Sequence, residues 1–160
     1  MANYEGPVLQ ATVGTTYKSA AVLQANGRRF MVYEIEFGQM GTLSTTDSQV
    51  QWDFSRISTT LSMSAAAFVV NLLDPADVAA STLFYTNASS EPLNITTAGN
   101  GLSLKNWAIN QRGSYRWRAL DDNDNIIFAS GSSQGATLRV TSFSSGYASS
   151  AVGNISFVER

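Results

Sequence analysis

The stretch Met31-Val32-Tyr33-Glu34-Ile35-Glu36-Phe37 decides the fold class, because apolar residues occupy every second position and two glutamates lie between them. Successive side chains of a β-strand point to opposite faces of the sheet, so this alternation predicts a strand with one buried and one solvated face. The same alternation recurs around Trp52, Trp117, Val140 and Phe157. One dry and one wet face is typical of antiparallel sheets, whereas strands of a parallel sheet are apolar on both faces.

Turn residues divide the chain into short strands of this kind. The spacing predicts an all-β fold, an antiparallel β-sandwich or jelly roll of about ten short strands. Asn26-Gly27 separates two apolar runs and predicts a β-hairpin of residues 15–23 and 28–37. Asp74, Pro75 and the alanines that follow predict one short helical turn near residues 75–80. The predicted core comprises Met31, Tyr33, Ile35, Phe37, Val50, Trp52, Phe54, Tyr115, Trp117, Leu138, Val140, Ile155 and Phe157.

The length predicts one domain over residues 1–160, because chains of this size form one core. Residues 1–6 precede the first expected strand, and chain ends are commonly disordered unless they are tied down. We therefore expect them to form an N-terminal arm whose Tyr4 and Glu5 contact a partner.

Composition excludes several classes of function. The chain contains neither Cys nor His, which removes thiol nucleophiles, Ser-His-Asp triads and the usual zinc sites. Its net charge is −2, and Arg28-Arg29 is its only pair of adjacent basic residues. Phosphate recognition needs clustered cations, and a membrane span needs about 18 or more apolar residues in a row. We therefore expect no enzymatic activity, no cofactor, no nucleic acid and no membrane among the functions of this chain.

Three groups of charged residues remain as candidate sites. Asp121, Asp122 and Asp124 could offer oxygen ligands to Ca²⁺, but Asp and Asn also favour turns, and a turn between two strands is the preferred interpretation. Glu34 and Glu36 could form a catalytic carboxylate pair, but alternate glutamates on one strand are more typical of a solvated face. Arg116 and Arg118 alternate with two aromatic residues, so we expect both arginines to face outward and to bind carboxylates of a partner. The aromatic residues between them are then expected in the core.

One set of segments carries a further signal: residues 33–38 (YEIEFG) with 51–56 (QWDFSR), 73–80 (LDPADVAA), 107–119 (WAINQRGSYRWRA) and 153–159 (GNISFVE). Together these segments resemble the decoration, or cement, proteins of tailed-bacteriophage capsids. The sequence departs from the family at residues 121–125, where family members more often carry a short Pro/Gly turn.

The resemblance implies a compact β-sandwich or jelly roll that lies on the outer surface of the virion capsid after synthesis in the host cytoplasm. It implies binding to the major capsid protein and to itself, as a homotrimer, without catalysis or a cofactor. Two other functions stay open. One is a carbohydrate-binding or receptor-binding β-sandwich, which exposed aromatic side chains on one face would favour. The other is a structural protein of the tail or baseplate.

Overall fold

The computed structural model describes residues 2–42, 45–57, 66–89, 103–121, 123–131, 134–143 and 149–160, and in these residues it contains strands and no helix. The strands are β1 (Ala2–Gln10), β2 (Lys18–Gln24), β3 (Phe30–Met40), β4 (Gln49–Ile57), β5 (Ala66–Phe68), β6 (Asn71–Leu72), β7 (Leu83–Thr86), β8 (Ser103–Asn110), β9 (Tyr115–Arg118), β10 (Ile126–Phe128), β11 (Gly135–Ser142) and β12 (Ser150–Glu159). Accordingly, no helix in this part of the chain is long and apolar enough to cross a membrane.

The strands form two antiparallel sheets. Sheet 1 has the order β10-β3-β12-β1-β6, with β9 also paired to β3, and sheet 2 has the order β5-β7-β2-β11-β4-β8. The central strands β1-β12-β3-β10 and β2-β11-β4-β8 follow the strand order of a jelly roll, in which the chain passes repeatedly between two sheets. The predicted antiparallel sandwich is therefore confirmed.

The sandwich has two different edges. Strands β5, β6 and β7 are inserted between β4 and β8 and add to both sheets beyond β1 and β2; residues 66–86 are called the insertion edge below. At the other side, β8 ends sheet 2 while β9 and β10 end sheet 1; β8 and β9 are called the β8–β9 edge. The two edges lie at opposite ends of the strand order in both sheets.

The core lies between the sheets and is rich in aromatic rings. Trp52 is fully buried, and its ring centroid lies 4.4 Å from that of Phe37. Phe157 stacks on Tyr4 at 5.4 Å and on Phe84 at 6.5 Å. Nine residues of the predicted core are buried in one cluster: Ile35, Phe37, Val50, Trp52, Phe54, Leu138, Val140, Ile155 and Phe157.

A β-bulge corrects the predicted core at Met31 and Tyr33. Glu34 pairs with Ser156, but Val32 pairs with Phe157, so Tyr33 is an extra residue on β3. A bulge of one residue reverses the alternation beyond it. Val32 and Phe30 therefore enter the main core, whereas Met31 and Tyr33 lie on the opposite face of sheet 1.

The predicted N-terminal arm is wrong, because β1 begins at Ala2 and pairs with β12 along its whole length. Tyr4 is fully buried, and its hydroxyl donates a hydrogen bond to the Val78 carbonyl oxygen at 2.9 Å. Pro7 made this strand difficult to predict from the sequence, because proline is uncommon inside strands. A proline is tolerated there because β6 pairs with β1 only at Tyr4 and Glu5, leaving Pro7 with a strand partner on one side.

Two predicted local structures also differ. Residues 74–77 form a turn in which the Ala76 N–H donates to Asp74 Oδ1 at 2.9 Å and the Asp77 N–H donates to the Asp74 carbonyl oxygen at 3.0 Å. This Asx turn replaces the expected helical turn, since the aspartate side chain binds the backbone locally. The predicted hairpin is wrong because β2 and β3 belong to different sheets, and Gly27, with a φ of 83°, lies in the connection that crosses between them.

Candidate functional site

A buried ion pair occupies the face of sheet 2 that points away from the core. Arg139 Nη2 lies 2.5 Å from Asp53 Oδ2, and Arg139 Nε donates to the same oxygen at 2.9 Å. The hydroxyl of Ser55 donates to Asp53 Oδ2, and that of Ser103 donates to Asp53 Oδ1. Because the protein's own side chains occupy both carboxylate oxygens, this pair links β4, β8 and β11 as a satisfied structural network.

Tyr17 covers this ion pair. The guanidinium carbon of Arg139 lies 4.7 Å from the centroid of the Tyr17 ring, within the range of a cation–π contact. Burial raises the pKa of the Tyr17 hydroxyl above its ordinary value, and the nearby Asp53 charge raises it further. The phenol is thus kept neutral, as expected of a structural cover.

Arg116 and Arg118 lie exposed on β9, as the alternation indicated, and both face Glu34 of the neighbouring strand. Arg116 Nη2 lies 2.6 Å from Glu34 Oε1, and Arg118 Nε lies 3.6 Å from Glu34 Oε2. The Glu34 carboxylate therefore faces two guanidinium groups, and Glu36 lies opposite Arg116 in the strand register, so acidic residues of β3 already face both arginines. Glu36 is exposed, whereas Glu34 is largely covered and binds the two arginines.

Aromatic side chains close the β8–β9 edge only in part. The ring centroids of Trp107 and Tyr115 are 5.7 Å apart, and Lys105 Nζ lies 5.5 Å from the centroid of the Trp117 ring. Tyr115 is 38% exposed and Trp117 is half-buried, so the prediction that both lie within the core is corrected. The reason is that β9 is a short edge strand, whose inner face the opposite sheet covers only partly. A cleft of about 340 Å³ at this edge is lined by Lys105, Tyr115, Arg116, Trp117, Arg118, Leu120 and Asp124.

The chain leaves β9 at Leu120, which is 93% exposed. Beside it, a groove of about 460 Å³ crosses the outer face of sheet 1 towards Leu73. The buried side chains of Met31 and Val158 form part of its lining, together with Tyr33. Nothing in the sequence pattern singled out Leu120, because an isolated leucine beside a turn gives no periodic signal.

The insertion edge carries an apolar cavity of about 370 Å³. It is lined by Ala67, Phe68, Val69, Val70, Leu72, Ala79, Ala80, Thr82, Leu83, Phe84 and Tyr85, with no Asp, Glu, Lys or Arg among them. Val69 on its rim is 89% exposed, and Val78 beside it is more than half exposed. The analysis of the sequence missed this cavity; the uncharged run Ala66-Ala67-Phe68-Val69-Val70 was the available signal.

Glu159 fixes one wall of this cavity. The backbone N–H groups of Ser81 and Thr82 donate to its two carboxylate oxygens at 3.1 and 2.6 Å, and Arg28 Nη1 lies 3.7 Å away. Glu159 is almost fully buried, and a buried carboxylate needs such donors. The start of β7 is therefore tied to the end of β12, and the cavity is held by the jelly roll itself.

The other candidate site residues predicted from the sequence lie in a turn and in a strand. Asp121 Oδ1 accepts the N–H of Asn123 at 2.7 Å, and the Asp124 N–H donates to the Asp121 carbonyl oxygen at 3.2 Å, which is a turn. Asp122 lies outside the described residues, and within them no group of three or more acidic side chains could hold a metal ion. Glu5 is half-buried on β1 beside the buried Tyr4, so these two residues do not form the expected arm.

Within the described residues, the apolar cavity of the insertion edge, the groove beside Leu120 and the cleft of β9 are three surfaces that could bind another molecule. Comparisons of the chain with protein-family models, with curated proteins and with solved structures found no match.

Proposed function

We propose that this chain is a capsid decoration protein, a non-enzymatic domain that binds the outer surface of an icosahedral phage head and stabilises contacts between major capsid subunits. The observation that carries the proposal is the set of large apolar side chains left more than half exposed on a well-packed domain: Met40, Val69, Leu73, Val78, Leu120 and Phe143. Exposed apolar surface of this kind marks sites of protein association.

Two further features support the proposal. The jelly roll recurs in viral capsid domains and in lectins, which is an analogy at the level of the fold. The segments that resemble decoration proteins include parts of β3, β4, β8 and β12 and the whole of β9, which belong to both sheets of the sandwich. A decoration protein also gains from repeated weak contacts, and a homotrimer on the capsid would engage three sites at once.

The test is the composition and the stability of phage heads that carry the chain. We expect the chain on the outside of reconstructed particles, in a fixed ratio to the major capsid protein, and we expect heads with the chain to withstand heat or low salt better than heads without it. Density inside the shell or in the tail alone would contradict the proposal, as would equal stability of the two kinds of head.

A pair of variants sharpens this test. Val78→Asp places a charge on the exposed apolar surface, and we expect it to lower the number of copies bound per head. Thr15→Asp places the same charge on an exposed polar residue of the loop before β2, and we expect occupancy to stay unchanged. Equal occupancy for both variants would show that the exposed apolar surface around residue 78 does not contribute to capsid binding.

A carbohydrate-binding or receptor-binding module is the second candidate function. Tyr115, partly exposed beside the cationic cleft, favours it, because sugars stack on aromatic faces that have polar neighbours. Glycan binding that is lost in Tyr115→Ala, together with the absence of the chain from particle surfaces, would favour this function over decoration.

A further inference from the structure

The longest edge strand that the structure describes is β8. It has eight residues, whereas the edge strands β5, β6, β9 and β10 have between two and four. It ends sheet 2, and among the described residues its only strand partner is β4. Backbone N–H and C=O groups on the open side of an edge strand can bind a further strand, and proteins usually keep such edges short. The length of β8 therefore marks it as a site where a strand can be added.

Only the first part of β8 carries features that block such an addition. The register against β4 shifts between Ser103 and Lys105, so Leu104 is an extra residue in a bulge. The ammonium group of Lys105 extends over the Trp117 ring of the other sheet. Bulges and inward-pointing charges are two ways in which proteins protect a sheet edge. Residues 106–110 (NWAIN) contain no charge, no proline and no shift of register, so this segment is the accessible part of the edge.

The side chains of this segment divide between two faces. Trp107 and Ile109 pack against the core, yet both are only half-buried, at the edge where sheet 2 ends. Asn106, Ala108 and Asn110 alternate with them and are exposed. A strand added beside this segment would remove apolar surface of Trp107 and Ile109 from water, which favours the addition.

The segment is complementary to a second copy of itself. Opposite residues of an antiparallel pair point to the same face, so a two-fold axis between two such segments must pass through one residue. With Ala108 on the axis, Trp107 of each copy lies opposite Ile109 of the other, and Asn106 lies opposite Asn110. Aromatic and β-branched side chains form favourable cross-strand pairs. The two small Ala108 side chains meet at the axis, where they leave room for close approach.

The charges of this edge do not oppose the pairing. Its arginines already have acidic neighbours: Arg112 faces Asp47, and Arg116 and Arg118 face Glu34. In the register centred on Ala108, Lys105 falls opposite residue 111, beyond the end of β8. The Lys105 residues of the two copies therefore lie at opposite ends of the paired segment, and no two charges of like sign are opposed within it.

We propose that residues 106–110 of β8 are a self-recognition site, to which a second copy of this chain adds its own β8 antiparallel across a two-fold axis at Ala108. Sheet 2 of one copy then continues into sheet 2 of the other. A two-fold contact occupies the open edge of both copies, so it ends at a pair. The paired segment is much shorter than a standard interface of about 20–30 residues a side, so we expect weak association in dilute solution. The contact goes beyond the proposed function, because it involves neither the capsid nor the insertion edge.

The absence of cysteine makes the contact and its register testable by disulfide trapping of the isolated chain. Ala108→Cys should form a covalent dimer when the concentrated chain is oxidised. The reason is that opposite residues of antiparallel strands have Cα atoms about 4.5–5.5 Å apart, which suits a disulfide.

Asn106→Cys provides the matched control, since residue 106 is exposed on the same strand and the same face. Two copies of residue 106 would lie about 13 Å apart in this register, so its dimer should form roughly tenfold more slowly or not at all. Mixing Asn106→Cys with Asn110→Cys should restore rapid cross-linking, because these two positions are opposite each other. Equal rates for Ala108→Cys and Asn106→Cys would overturn the proposal, as would a mixture that forms no more product than its two components alone.

Hydrogen exchange tests the same contact in the unaltered chain. Backbone amides of residues 106–110 that point away from β4 should exchange more slowly as the protein concentration rises, because they become paired. Ala108→Asp places two carboxylates across the axis and should abolish this dependence on concentration. Asn71→Asp adds the same charge on β6, at the other end of the strand order, and should behave like the unaltered chain. Exchange of residues 106–110 that does not depend on concentration in the unaltered chain would contradict the contact.

Discussion

The two edges of the sandwich are closed by different side chains. At the β8–β9 edge, rings from both sheets meet, and the Phe37 centroid lies 4.4 Å from Trp52 and 5.2 Å from Trp107. At the insertion edge, Phe84 reaches across to Phe157, and an apolar cavity remains beside it. The same two sheets pack against each other at both edges. The packing of the central strands therefore does not require the cavity. The difference indicates that the rings packed beside the β8–β9 edge contribute to stability, whereas the insertion edge leaves an apolar cavity that is available for binding.

The largest expected effect comes from the ring cluster between the sheets beside the β8–β9 edge. Trp52→Ala should lower the free energy of unfolding by about 3–5 kcal/mol, because Trp52 is fully buried between the sheets. Trp117→Ala should cost less, since part of that ring is already in water. Urea denaturation followed by circular dichroism measures both. Equal losses of unfolding free energy would mean that the half-buried ring of Trp117 contributes as much to stability as the buried ring of Trp52.

A smaller effect is expected where β1 meets the insertion edge. A Cβ atom added at Gly6 would lie within 2.8 Å of three ring carbons of Phe84, so Gly6 makes room for that ring. Gly6→Ala should therefore destabilise the fold by about 1–3 kcal/mol through overpacking.

The double variant G6A/F84L tests this cause, because the smaller leucine relieves the clash. The additional cost of Gly6→Ala in the Phe84→Leu background should be close to zero in the same denaturation assay. An unchanged cost in that background would show that the ring of Phe84 does not limit residue 6.

The smallest expected effect concerns the hydroxyl of Tyr4 beneath the insertion edge. Tyr4→Phe removes the hydrogen bond to Val78 and should cost about 0.5–1.5 kcal/mol at neutral pH. Burial raises the pKa of Tyr4, and the charges of Glu159 and Asp77 raise it further.

The raised pKa of Tyr4 predicts a dependence on alkaline pH. The folded state favours the neutral phenol, so its stabilisation is complete below the unfolded pKa of about 10 and is lost as the pH rises through the higher folded pKa. The difference in stability between the unaltered chain and Tyr4→Phe should therefore shrink above about pH 10. A difference that stays constant up to the alkaline unfolding of both proteins would contradict this. Tyr17 and Tyr33 also have raised pKa values and are present in both, so they do not affect the comparison.

The sequence alone determined the fold class, because the alternation of apolar and polar residues reports which face of a strand is dry. Trp52, Phe54, Val140 and Phe157 are buried as that alternation predicts. It also placed Arg116 and Arg118 outside. Local turn chemistry was less informative, since Asn26-Gly27 marks a sharp change of direction without stating whether the next strand joins the same sheet.

Only the tertiary structure decided the features that depend on contacts between distant segments. Tyr4 is a core residue because β12, about 150 residues later, pairs with β1. Tyr33 leaves the core because β3 has one residue more than β12 across a bulge, and a two-residue period cannot reveal such a shift. The cavity of the insertion edge and the exposure of Leu120 at the other edge likewise result from how the strands assemble, since exposure is a property of the neighbours that a side chain lacks.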